Sequence, residues 1–181
     1  IGLQNGADLI LIETMNDCYE AKAGIIACKE VIENLGSEFD VPIFVTTVYD
    51  ESARSLTGTN IETMTTILES LGVDGLGMNC SLGPIQMKEF IKDFTENTNL
   101  PIIVNPNAGL PRSENGKTVY DISPEQFANI VSDYISNGVS IVGGCCGTTP
   151  EHIKLLVKKI YEKNLINKNK IDFFINQKIK E

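Results

Sequence analysis

Short apolar runs and longer amphipathic stretches alternate along this chain. The runs Ala7–Glu13, Val41–Val48, Val73–Asn79, Pro101–Asn105 and Val139–Gly143 are short and rich in Ile, Val and Leu. That is the pattern of strands covered on both faces. Between them, Asp17–Leu35, Asn60–Leu71, Pro84–Asn97, Pro124–Asn137 and Pro150–Lys163 carry apolar residues at helical spacing. Ser123-Pro124-Glu125-Gln126 supplies a Ser cap, a Pro at the first helical position and a Gln placed to close a capping box. Thr149-Pro150-Glu151 repeats the cap and the Pro, with an acidic side chain near the positive end of the helix dipole. Gly36, Gly72 and Gly138 fall where three of the helices should stop.

Five β/α units in succession imply a parallel sheet with right-handed crossovers. An open doubly wound sheet and most of a (β/α)8 barrel both fit this rhythm. Polar residues gather at the predicted C-terminal strand ends: Glu13, Thr46 and Thr47, Asn79-Cys80, Asn105 and Asn107, and Cys145-Cys146. Both architectures place active sites there, and a ring of residues converging from several strands favours the barrel.

The 181 residues suffice for one hydrophobic core. A net charge of -9 argues against a nucleic-acid partner, which would need clustered Lys and Arg. No apolar run approaches the roughly 20 residues that span a bilayer, so the expectation is a soluble, cytoplasmic protein. The abrupt opening at Ile1 suggests a piece of a longer chain. Residues 1–157 read as the folded unit. Residues 158–181 hold seven of the fifteen Lys and Arg and no Gly or Pro, and read as a helix end and a linker toward a following domain.

Five cysteines, without regular spacing, argue for reduced thiols rather than a disulfide framework. Cys80 ends one strand, and the vicinal Cys145-Cys146 ends another two units later. Three thiolates meeting above one sheet edge would leave one tetrahedral position open, the layout of a catalytic zinc site. Hard ions such as magnesium and calcium prefer oxygen. Burial as small apolar side chains is the alternative for each cysteine taken alone. Cys28 sits among Ile25, Ile26 and Val31 and reads as core; Cys18 opens a helix and is less defined. Glu13 could bind a substrate amino group or pair with a neighbouring cation. Asn107 could offer an oxygen to a metal or substrate, or simply form its turn. His152, the single histidine, is expected to face solvent in the first turn of the last helix. The Gly143–Thr149 loop could also serve as a phosphate nest, a reading that leaves the paired cysteines unexplained.

The segments IETMND, ESARSLTGTN, GVDGLGMNCSLGP, NPNAGLP, ENGKTVYDISPEQFA and GGCCGTTPEHI, taken together, resemble the homocysteine-binding domain of cobalamin-dependent methionine synthases. The resemblance runs from about Ala7 to Leu156. It extends more loosely to the betaine- and S-methylmethionine-homocysteine methyltransferases, which share a Cys…CysCys zinc site. It implies a (β/α)8 barrel, here about strands four to eight, with zinc on Cys80, Cys145 and Cys146. Glu13 would engage the homocysteine amino group, with Asn79 and Asn107 also on the substrate side. The implied methyl donor is methylcobalamin on another domain, remethylated from methyltetrahydrofolate on a third. A non-catalytic metal- or partner-binding module is the competing reading for the piece alone. The Gly-rich first strand of the family is absent from this sequence. An inner sheet face of Leu9, Leu11, Leu76 and Met78 is therefore expected to be exposed, with self-association through the open edge.

Overall fold

The structure, a computed structural model, describes residues 1–165. Five parallel strands form one sheet: β1 (Ile10–Met15), β2 (Ile43–Thr47), β3 (Gly75–Asn79), β4 (Ile102–Asn105) and, after a hairpin, β7 (Ile141–Val142). Their order in the sheet is β1-β2-β3-β4-β7, so strands of the sheet that follow one another along the chain are also neighbours in space. A doubly wound sheet reverses direction at a switch point; this one does not, and it forms part of a (β/α)8 barrel wall.

The helices α1 (Cys18–Leu35), α2 (Ile61–Ser70), α3 (Pro84–Asn97), α4 (Pro124–Ser136) and α5 (Pro150–Glu162) follow the strands. One continuous core joins them to the sheet: Ile43, Val45, Leu76, Met78 and Val104 from the strands meet Ile25, Leu68, Phe94 and Phe127 from the helices. The Ser123 start signal holds, with Gln126 closing a capping box on α4. Asp17, in addition, caps α1 by accepting from the N–H groups of Tyr19 and Glu20. Gly36, Gly72 and Gly138 all take positive φ at the helix ends, where a side chain would be strained. No helix among the described residues is long and apolar enough to cross a membrane.

Three expectations change. First, the strands are shorter than the apolar runs. β1 starts at Ile10 rather than Ala7, and β7 keeps only Ile141–Val142. Val139 donates its N–H to Tyr134 and so belongs to the end of α4. Second, an antiparallel hairpin, β5 (Arg112–Glu114) and β6 (Lys117–Val119), stands between β4 and α4. Its turn is Asn115-Gly116, both at positive φ, a strong local hairpin signal. Third, the face assignment of β3 reverses. Cα pairing aligns Leu11 with Phe44 and Gly75, and Thr46 with Gly77 and Ile103. The face away from the helices thus carries Leu9, Leu11, Gly75 and Gly77. Leu9 and Leu11 are exposed as expected, but Leu76 and Met78 point into the helix layer and are buried. Of the stretch 158–181, residues 158–162 complete α5, and residues 166–181 lie outside the described region.

Candidate metal centre

Cys80 follows directly on β3, in a turn where both Cys80 and Ser81 adopt left-handed backbone conformations (φ 60° and 67°). Such conformations are uncommon without glycine and cluster at functional sites. Cys145 and Cys146 lie in the Gly143–Thr149 loop between β7 and α5. The three Sγ atoms all lie within 4.8 Å of one another, and Cys80 and Cys146 are separated by 3.7 Å. Thiolates bound at about 2.3 Å around a tetrahedral ion stand about 3.8 Å apart, so this spacing fits a shared metal. The all-sulfur donor set suits a borderline or soft ion such as zinc. Cys80 and Cys145 are half-buried and Cys146 is exposed, which leaves the cluster open on one side.

Backbone hydrogen bonds stitch the two cysteine loops to the segment after β4. Cys80 N–H donates to Asn105 O, Cys145 N–H to Pro106 O, and Ala108 N–H to Cys146 O. Asn107 sits at the centre of this stitching and is 3% exposed. Its backbone N–H donates to Leu82 O at 3.0 Å, and its Oδ1 accepts the N–H of Cys146 at 3.0 Å. Burial, followed by repulsion from Cys80, pushes the Cys145 thiol up to about 11. A nearby cation acts in the opposite sense on such a thiol.

The other expected residues fall around this cluster. Glu13 does not end its strand, since β1 runs on to Met15; it is exposed on the same sheet face as Leu11 and makes no salt bridge among the described residues. Asn79 is 1% exposed and bonded to Thr14, Thr46 and Cys145. Cys18 and Cys28 are not members of the thiol cluster and pack against the core.

His152 does not face solvent: it is 6% exposed. Its Nδ1 accepts the Thr149 N–H at 3.1 Å, which leaves Nε2 to donate to Ile122 O at 3.2 Å. The ring meets Phe127 edge-on at 5.4 Å. It ties the start of α5, and so the end of the cysteine loop, to the chain entering α4. Tyr120 was not legible as a site residue. Burial and then the neighbouring Cys146 push its phenol up, and its ring covers the position where a side chain on Gly147 would stand. The Asn-Gly hairpin just before it is the only sequence signal that the chain turns back toward the cluster here.

A parallel β/α wall on a barrel-type fold thus carries at its C-terminal edge three converging thiols whose spacing could hold a metal ion. The family model for homocysteine S-methyltransferases matches residues 1–160. Methionine synthase from Mycobacterium leprae is 35% identical over 153 residues, which is 84% of this chain and 12% of that protein. Methionine synthase from Mycobacterium tuberculosis is 36% identical over the same length, 84% of this chain and 13% of its own. Among solved structures, the metallated form of the homocysteine methyltransferase MmuM from Escherichia coli superposes with a TM-score of 0.69 at 23% identity. That match covers 87% of this chain and 47% of MmuM. The chain belongs to the homocysteine S-methyltransferase family. It spans about an eighth of the length of the methionine synthases it matches.

Proposed function

We propose that this chain is the zinc- and homocysteine-binding part of a methionine-synthase-type enzyme, transferring a methyl group to the homocysteine thiol. The observation that carries this is the convergence of the three cysteine sulfurs within 4.8 Å at the C-terminal edge of the sheet. Cys80, Cys145 and Cys146 would hold the metal. Bound zinc supplies the charge that keeps a substrate thiol, with an ordinary pKa near about 8.5, as the nucleophilic thiolate at neutral pH.

The protein's own groups orient the reactants. Glu13, exposed and free of a salt-bridge partner among the described residues, suits the homocysteine ammonium group. Asn107 holds an amide oxygen beside Cys146 and braces both cysteine loops. Asn79 belongs to the same site, behind Cys145. Similarity to methionine synthases at 35% and 36% identity favours methylcobalamin as donor, carried and remethylated from methyltetrahydrofolate by other domains of a longer protein.

Metal analysis of the reduced, zinc-reconstituted chain tests the reading, combined with zinc-edge spectra recorded with and without homocysteine. The expected result is one zinc per chain, lost in Cys80→Ser and Cys145→Ala, with an added sulfur neighbour when homocysteine is present. Full zinc retention in both variants would sink the assignment.

A further inference from the structure

We propose, building on the metal-site reading above, that Asn79 is a positioning residue for the Cys145 sulfur and the Glu13 stretch of β1, with no direct contact to substrate. Its side chain is 1% exposed. Its Oδ1 accepts from Thr14 N–H at 2.9 Å and from Thr46 Oγ1 at 2.8 Å. Its Nδ2 donates to Thr14 Oγ1 at 2.8 Å and lies 3.7 Å from Cys145 Sγ. A side-chain amide has two acceptor sites and two N–H donors, and all four are committed. No capacity remains for a ligand.

The orientation of the amide follows from chemistry. The Thr14 backbone N–H can only donate, so the atom facing it must be oxygen. Nδ2 must then face Thr14 Oγ1 and the Cys145 sulfur. An N–H directed at sulfur is a better partner for a thiolate than for a neutral thiol, because hydrogen bonds to ionised acceptors are stronger. Such an outer hydrogen bond fixes a ligand atom's position and tempers the charge it delivers to a metal.

The opposite end of the same amide holds a strained residue. Thr14 is β-branched yet sits at φ 63°, where the pairing of β1 with β2 slips between Ile12 and Met15. Such a conformation is a genuine outlier for this residue type and persists only where its surroundings over-determine it. Asn79 grips Thr14 through both its backbone N–H and its hydroxyl, and Glu13 is the preceding residue. One buried amide therefore joins a proposed metal ligand on β7–α5 to the Glu13 stretch of β1, through the strand that bears Cys80.

The test uses the full chain, reduced, with zinc affinity read by chelator competition and sulfur bonding read from the thiolate-to-metal charge-transfer band of the cobalt(II)-loaded protein. Asn79→Asp keeps an oxygen for Thr14 N–H and Thr46, and the Thr14 hydroxyl can rotate to donate to the second oxygen; the donor to Cys145 is lost. The expected outcome is a folded protein whose zinc affinity falls by about 10- to 100-fold and whose charge-transfer band moves to lower energy. Thr46→Val, which loosens the amide without removing it, should give a smaller change in the same direction and keeps the test available if Asn79→Asp does not fold. Unchanged affinity and an unmoved band in these variants overturn the proposal while leaving the metal site standing. A reduced, unsubstituted chain that binds neither zinc nor cobalt overturns the metal-site reading itself, and this inference with it.

Discussion

The side-chain oxygen of Asn107 accepts the backbone N–H of Cys146 at 3.0 Å, while the backbone N–H of the same residue donates to Leu82 O at 3.0 Å. One residue therefore clamps the loop after β3 to the loop before α5, the two loops that bring the three thiols together. Asn107→Ala keeps the backbone half of the clamp and removes the side-chain half, leaving a Cys146 N–H without its partner. Zinc affinity is expected to fall by about 10-fold or more, and stability by about 1–3 kcal/mol. Chelator competition and urea unfolding measure the two effects separately. A loss of stability with full zinc affinity would mean that the backbone bonds alone hold the cysteines.

Two leucines on opposite faces of the sheet should respond differently to truncation. Leu76 is fully buried in the helix-facing core, whereas Leu11, on the opposite face, is 42% exposed. Leu76→Ala opens a cavity and should cost about 2–5 kcal/mol. Leu11→Ala removes surface that is already partly wet and should cost well under half as much. Denaturant unfolding of the two variants compares them directly, and equal losses would contradict the assignment of faces.

That contrast marks where the sequence is readable and where it is not. The five β/α units, their caps and the convergence of Cys80 with Cys145-Cys146 follow from local patterns: apolar runs, Ser-Pro and Thr-Pro starts, and cysteines at strand ends. The face of β3 does not follow, because Gly75-Leu76-Gly77-Met78 is buried on both sides and its alternation gives no solvent reference. It is fixed instead by register with β2 and β4. The buried position of His152 was likewise hidden, since its partners Ile122 and Phe127 come from about 25 to 30 residues away. Asn79 was legible as a site residue by its place beside Cys80, but its four bonds involve Thr14, Thr46 and Cys145 from three other segments. The β5–β6 hairpin lies outside the reading by apolar runs, although its Asn115-Gly116 turn is a local signal of the kind that marks hairpins.

Alkaline pH should weaken the fold through Tyr134. This residue is fully buried, its hydroxyl donates to Pro84 O at the start of α3, and burial pushes its phenol above the ordinary range. Folding thus favours the neutral form. The resulting stability is complete below the unfolded-state value, near about 10, and is lost as pH rises from there through the folded-state value. Tyr134→Phe removes both the hydrogen bond and the titrating group. The variant should lose about 1 kcal/mol at neutral pH and show a shallower fall in stability above pH ~10. Urea unfolding at neutral pH and across the alkaline range reads both; identical pH slopes in the two proteins would remove Tyr134 as the cause.

Gly147 offers the sharpest test of the cysteine loop. It has a φ of 78°, and a Cβ built there would stand 2.3 Å from the Tyr120 ring. Gly147→Ala therefore meets two obstacles at once. The left-handed backbone costs an L-residue about 1–2 kcal/mol, and the methyl group must displace a ring packed beside Cys146. The loop can relieve both only by moving, and the residue before Gly147 is Cys146, one of the three proposed metal ligands. The expected result is a protein with native helix content by circular dichroism, modestly reduced stability, and zinc affinity lowered by about 10-fold or more. Pairing the change with Tyr120→Ala separates the two obstacles. The truncated ring makes room for the methyl group, so the double variant should recover part of the zinc affinity while keeping the backbone cost. No recovery would show that the left-handed turn, rather than the packing of Tyr120, sets the position of Cys146.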